Sequence, residues 1–484
     1  MLHFKKLNLL YVLIFGVLVV GCKDKNVDPA VETTLDSTTA SNYKAINSWL
    51  YEVMDDAYFW YKNMPTESSL DATINPYDYF EKLVYQRETV DRFSAVTDDI
   101  DALQNEFNGI SKIFGISYAL SYIDDGKSNI GIFLNYVVKG SPAETAGLKR
   151  GDILLKVNGT QLTANNYSTL LSGIETATFT LGALEGSKIV ATSTTISMTK
   201  AEVSEDPVAF SSVITKSTYG KTIGYLVYTQ FVPGTTADAA KYDNELRQVF
   251  ANFKSKGVNE LVLDLRFNPG GYLSSAETLA SLIGKNVSAS KIFYKEQWND
   301  KYIAYWQKTK GAEALNYPFL NEANNIGSNL SRVFVLTSNG TASASELVIN
   351  GLKPYMDVIT IGEHTAGKNL FGSLIDDDQG RWKWGVYVML GQTANANGES
   401  DYGTVNGMTP DYLVEDSKVP YKPFADENET LFRKALDVMG IPAPDGLRIA
   451  ASKTVDTFKK SLRDDLKTRK NLMIKKGTIP LINQ

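Results

Sequence analysis

The hydrophobic positions of this 484-residue chain change period several times, and each change predicts a change of element. Residues 9–20 form an unbroken apolar run behind Lys5 and Lys6, too short to span a bilayer unaided and suited to the apolar region of an export signal. Residues 23–41 are polar, rich in Thr and Ser, and unable to offset their own ordering entropy, so they read as a tether. Ile46, Trp49, Leu50, Val53, Met54 and Ala57 then recur at helical spacing, and Asn75 before Pro76 opens a second periodic stretch through Phe80, Leu83 and Val84. A small helical domain is expected over 42–108.

From 109 to 200 the pattern shifts to short alternating strands. Within it, residues 140–159 (GSPAETAGLKRGDILLKVNG) predict a short helix over 143–148, a strand over 153–157 and an Asn158-Gly159 turn. From 201 to 440 strands alternate with helices. Residues 223–228, 261–265, 333–336 and 358–361 are buried-type strands, Leu246, Val249, Phe250 and Phe253 form a helical face that stops at Gly257, and residues 346–352 form a short helix ended by Pro354. Such units imply a largely parallel sheet flanked by helices, with chemistry where strands end and helices begin. The lysine-rich stretch 441–484 reads as a solvated terminal helix without chemistry. The expected class is multidomain α/β.

Composition narrows the chemistry. The formal charge of -6 supplies no basic face for nucleic acid. With one cysteine and two histidines, of which Cys22 and His3 lie at the leader, the body keeps His364 as its single imidazole and has no thiol; thiol catalysis, intramolecular disulfides and His/Cys zinc sites drop out. No metal or other cofactor is expected.

The stretch 337–351 (TSNGTASASELVING) places small residues and hydroxyls between a buried strand and a helix. A nucleophile there would have room for a substrate backbone and the free N–H groups of a helix start for an oxyanion. A serine needs a base, and His364, a carboxylate or a lysine are the choices. Lys368, in GEHTAGKNLFG (362–372) after a buried strand, is the better candidate, because desolvation there favours the neutral amine. Residues 362–368 also fit a phosphate loop, but Asn369 stands where a Ser or Thr would hold magnesium. Asp376, Asp377 and Asp378 read as a hairpin turn rather than a calcium loop.

Three resemblances extend this reading. Val19-Val20-Gly21-Cys22 resembles the lipobox of bacterial lipoproteins, which implies acylation of Cys22 and a lipid anchor in the cell envelope, periplasmic or surface-facing. Residues 140–159 resemble the core signature of PDZ domains, whose peptide carboxylate loop would fall at Phe114, Gly115 and Ile116. Ser343 in SASE, Lys368 in AGK, and DLRFNPGG (264–271), together with the PDZ signature, resemble the C-terminal processing, or tail-specific, serine peptidases. That family implies a crotonase-like sheet-and-helix core over 201–440, Ser343 as nucleophile, Lys368 as base, and an oxyanion hole from Ala344 and Gly270 or Gly271. It also implies a polypeptide partner taken by its C-terminal region. One position departs: the family's lysine-orienting glutamine would stand at Gly372, so either another side chain, Asn369 or Ser373, takes its role, or this branch does without that contact, or the enzyme is impaired. An impaired enzyme that binds peptides or envelope proteins through its PDZ domain is the alternative.

Overall fold

A computed structural model describes residues 37–443, 453–463, 472–475 and 479–482; the export leader, Cys22 and most of the tether lie outside the described residues. The first helix, Ser37–Ala57, begins earlier than expected and takes in residues 37–41 of the predicted tether. Its buried stripe of Ile46, Trp49, Leu50, Val53, Met54 and Ala57 nucleates it, and extension by a turn then costs little. The helix Pro76–Leu83 starts as its sequence requires, with Asn75 Oδ1 accepting from Tyr77 N–H at 2.9 Å and Pro76 in the first turn. Among the described residues no helix is long and apolar enough to cross a membrane.

The strands Ile116–Tyr122, Ile130–Val137, Ile153–Val157, Thr176–Glu185 and Lys188–Thr199 form an antiparallel sheet around Leu120, Ile132, Leu154, Val157 and Phe179. The short helix here is Pro142–Thr145, and Asn158 (φ 49°) with Gly159 (φ 78°) makes the expected tight turn. Arg150 bridges this unit to residues 421–429. Its guanidinium lies 4.5 Å from the Phe424 ring centre and 5.0 Å from that of Tyr421, donates to Asn135 O and Lys422 O at 2.8 Å each, and pairs with buried Glu429 at 3.1 Å.

The third unit holds two sheets. In the first, Lys221–Tyr228, Glu260–Asp264, Arg332–Thr337, Asp357–Gly362 and Tyr412–Leu413 run parallel in that order, with Val208–Lys216 antiparallel at the edge. The inner strands are buried on both faces, which is why they read as continuous apolar runs. The second sheet has the order Gly270–Tyr272, Leu472–Ile474, Leu370–Asp376, Gly385–Asn395, Ile292–Trp298, Asn316–Pro318.

The terminal segment corrects the expectation of a solvated helix. Its described residues form the strands Lys453–Thr454, Thr457–Arg463 and Leu472–Ile474, and the last of these lies inside the second sheet. Lysines at an edge strand and lysines on an exposed helical face look alike in composition; pairing with distant strands decides between them.

Candidate active site

The strand Arg332–Thr337 ends in a turn that delivers Ser343 to the start of the helix Ala344–Leu352. Ser343 has φ 64° and ψ −111°, a strained backbone for a residue with a Cβ. The turn is held from below: Thr341 Oγ1 donates to Leu265 O at 2.8 Å, while Ala342 N–H and Ser345 Oγ both donate to Asn268 O at 3.1 Å. Ser343 N–H donates to Glu346 Oε2 at 2.7 Å, but Ser343 Oγ, fully buried, has no hydrogen-bond partner. One half of a capping box is therefore made and the hydroxyl is left unused.

Glu346 links this turn to the lysine loop. Its Oε1 accepts from Thr365 Oγ1 at 2.5 Å and Gly367 N–H at 2.8 Å, and its Oε2 accepts from Lys368 N–H at 2.9 Å as well as from Ser343. Burial raises its carboxyl to about 7, against the opposing pull of these four donors. Its importance was legible in outline, because Ser343 and Glu346 carry the S-x-x-E spacing of a capping box.

Lys368 is fully buried, and its Nζ donates to Tyr387 OH at 3.1 Å and lies 4.7 Å from the Phe93 ring centre. Desolvation lowers its ammonium to about 7; Asp91 and then Glu346 pull it upward, and Arg92 pushes it down. Phe93 and Arg92 come from the helical N-terminal unit, and Arg92 Nη2 donates to Gly367 O at 2.6 Å. That unit thus forms one wall of the lysine's environment.

Two expectations about the lysine's support are corrected. Asn369 directs its side-chain amide to Ser400, at 3.0 Å from the carbonyl and 2.9 Å from the hydroxyl. Ser373 Oγ contacts Leu374 O and Lys475 O. A group that does reach Lys368 Nζ is Tyr387, on the neighbouring strand Gly385–Asn395. A side chain at Gly372 has no space, since its Cβ would lie 2.5 Å from Val388 O and 2.9 Å from the Tyr387 ring. No local motif announces Tyr387; cross-strand pairing brings it there.

The glycine pair lies beside the nucleophile turn, with φ 103° at Gly270 and 141° at Gly271. A Cβ at Gly271 would meet Phe231 O at 2.1 Å, so the close approach requires glycine. Gly270 N–H donates to Asn268 Oδ1 at 2.9 Å and is therefore occupied here, whereas Ala344 N–H belongs to the first turn of its helix, whose amides lack intrahelical acceptors. His364 is exposed, and its Nδ1 sits 3.2 Å from Asn406 O. Asp377 is held by Arg381, and among the described residues no acidic or His cluster could hold a metal ion.

In the PDZ-like sheet, Phe114 is buried edge-on to Phe179, and Gly115 (φ 90°) has no room for a Cβ beside Ser141. Ile116 opens the strand Ile116–Tyr122, whose outer edge is paired by Thr457–Arg463.

Residues 222–414 match peptidase family S41, residues 45–95 the peptidase S41 N-terminal domain and residues 133–181 the PDZ domain. The chain is similar to the chloroplastic C-terminal processing peptidase of Tetradesmus obliquus, 25% identical over 75% of this chain and 73% of that protein. It is similar to a carboxy-terminal processing protease of Bacillus subtilis, 27% identical over 71% of this chain; the match spans 62% of that protein, a little under two thirds. Among solved structures it resembles an S41 protease from Bacteroides fragilis, with a TM-score of 0.69 and 31% identity over 82% of this chain and 98% of that one.

Proposed function

The chain belongs to peptidase family S41, and from that premise we propose that it is an exported serine endopeptidase of the C-terminal processing type, with Ser343 as nucleophile and Lys368 as general base. The observation that carries this reading is Lys368 itself: a fully buried amine, lowered to about 7, on a loop that Glu346 ties to the strained Ser343 turn. At neutral pH such an amine is unprotonated in about half of the molecules and has a lone pair to offer.

In the proposed reaction Ser343 Oγ adds to a peptide carbonyl while its proton passes to Lys368 Nζ. The oxyanion faces Ala344 N–H and the glycine pair, with Gly270 able to serve once Asn268 releases its amide. As the C–N bond breaks, Lys368 returns the proton to the leaving amine. Water, deprotonated by the same amine, then opens the acyl-enzyme and frees the new carboxyl terminus. Tyr387 holds the amine in place of the absent glutamine, which removes the main support for an impaired binder. The PDZ unit takes the polypeptide's C-terminal region, and Cys22 carries a lipid anchor to the bacterial envelope.

The mature chain without its lipidated Cys22 (residues 23–484) should cleave an unfolded polypeptide. Ser343→Ala and Lys368→Ala should each abolish cleavage and His364→Ala should not. Full activity in Lys368→Ala refutes the base, and a folded chain that cleaves nothing under any condition favours the peptide binder.

A further inference from the structure

Two strands of the terminal segment occupy places that a bound polypeptide would need. Thr457–Arg463 adds antiparallel to Ile116–Tyr122, pairing Thr457 with Ser121, Leu462 with Tyr118 and Arg463 with Ser117, so its C-terminal end points to the turn at Gly115. That is strand addition to a sheet edge, the manner in which PDZ-type sheets take peptides. Leu472–Ile474 then lies parallel to Gly270–Tyr272, with Gly270 opposite Leu472 and Gly271 opposite Met473, and meets Leu370–Asp376 at Gly372.

The second strand touches the catalytic apparatus through one hydroxyl. Tyr387 OH accepts from Met473 N–H at 3.3 Å, donates to Met473 O at 3.1 Å and accepts from Lys368 Nζ. A phenol has one proton and two lone pairs, so its capacity is filled. Ser343 Oγ meanwhile has no hydrogen-bond partner among the described residues. The amine's anchor is engaged by the tail while the nucleophile stands unused. The Met473 side chain is fully buried, with Sδ 3.9 Å from Thr393 Oγ1, and so marks a subsite for a flexible apolar side chain. Beyond it, Ile474, Ile479 and Leu481 line one side of a cavity of about 670 Å³ whose other side includes Trp49 and Tyr272.

We propose that the strands Thr457–Arg463 and Leu472–Ile474 are an intramolecular ligand of the substrate track: the described form is self-engaged, and an extended polypeptide with an apolar residue at the Met473 position must displace them from both edges before cleavage. The inference rests on the Ser343–Lys368 reading for its consequence, but the occupancy can be measured separately. Because no described tail residue hydrogen-bonds to Ser343 Oγ, the segment is placed as a competitor rather than a substrate.

In the mature chain ending at Asp456, KM for an unfolded polypeptide should fall at least fivefold with kcat little changed, and a synthetic 457–482 peptide added in trans should raise it again. An unchanged or raised KM overturns the proposal. If the shortened chain loses its thermal transition, full-length Met473→Gly decides: a lower KM supports displacement, and an unchanged one makes the strand purely structural. In the Ser343→Ala background, a fluorescent 457–475 peptide should bind the shortened chain at least fivefold tighter by anisotropy. Equal affinity overturns the occupancy whether or not the dyad cleaves. If the affinities differ but no form cleaves anything, the dyad fails and the occupancy stands. Loss of tail mass from the wild type but not from Ser343→Ala would make the segment a substrate and overturn its role as competitor.

Discussion

The sharpest consequence of the site is a pH dependence set by Lys368. An ordinary lysine titrates at 10.5, and burial lowers this one to about 7. At pH 7 an unperturbed amine would be neutral in roughly one molecule in 3,000, whereas this one is neutral in about half, a gain of roughly 1,500-fold in the reactive form. The log of kcat/KM for an unfolded polypeptide should therefore climb with unit slope from pH 5 to near 7 and level above about 8. Stability should carry the same signature. The folded amine has the lower pKa, so the unfolded chain binds more protons between about 7 and 10.5, and stability rises with pH across that window. From pH 7 to 9.5 the wild type should gain roughly 3 kcal/mol that Lys368→Met does not, because the variant never carries the buried charge. Kinetics from pH 5 to 9, with thermal unfolding of both proteins at pH 7 and 9.5, tests both arms. An acid limb above pH 9, or a stability difference between the two proteins that does not change with pH, would refute the reasoning.

Other expectations follow from neighbouring residues. Tyr387→Phe should lower kcat at least tenfold and shift the acid limb while the melting temperature stays within a few degrees, because only the hydroxyl that holds Lys368 is removed. Gly372→Gln, which restores the family's usual residue, should destabilise by about 1–3 kcal/mol in a thermal melt and not raise activity, since Val388 O and the Tyr387 ring fill that space. Glu346→Gln turns an amide toward donors that now share a carboxylate; at least a hundredfold loss in kcat/KM and about 1–3 kcal/mol of stability are expected, and near-wild-type values would mean that the two loops are held otherwise.

Much of the architecture could be read from local pattern. The inner strands of the parallel sheet are buried on both faces and show as apolar runs, and the Asn158-Gly159 turn follows from backbone preference alone. Ser343 and Lys368 became candidates through motifs and through the scarcity of other chemistry. The second sheet was not, because it joins Gly270, Leu370, Tyr387 and Leu472 across some two hundred residues, and no local period encodes such partners. The missing glutamine pointed to Asn369 and Ser373 for the same reason: sequence proximity suggested neighbours, while a strand from further along the chain supplied Tyr387.

Arg150 gives the PDZ unit a fixed bearing. Its guanidinium is closed in by Tyr421, Phe424 and Glu429, and Gly151 packs so tightly that a Cβ would meet Tyr421 O at 2.3 Å. The sheet edge that pairs with Thr457–Arg463 and the turn that carries Ser343 are thus held at a set separation, as the jaws of a caliper are. The chain's own terminal segment gauges that opening: Arg463 pairs at one jaw and Leu472 at the other, nine residues apart, a reach of no more than roughly 30 Å. Under the proposed reading, a polypeptide gripped at both places needs a free, unfolded end that reaches from one to the other, so the length of loose tail would count before any side chain is read.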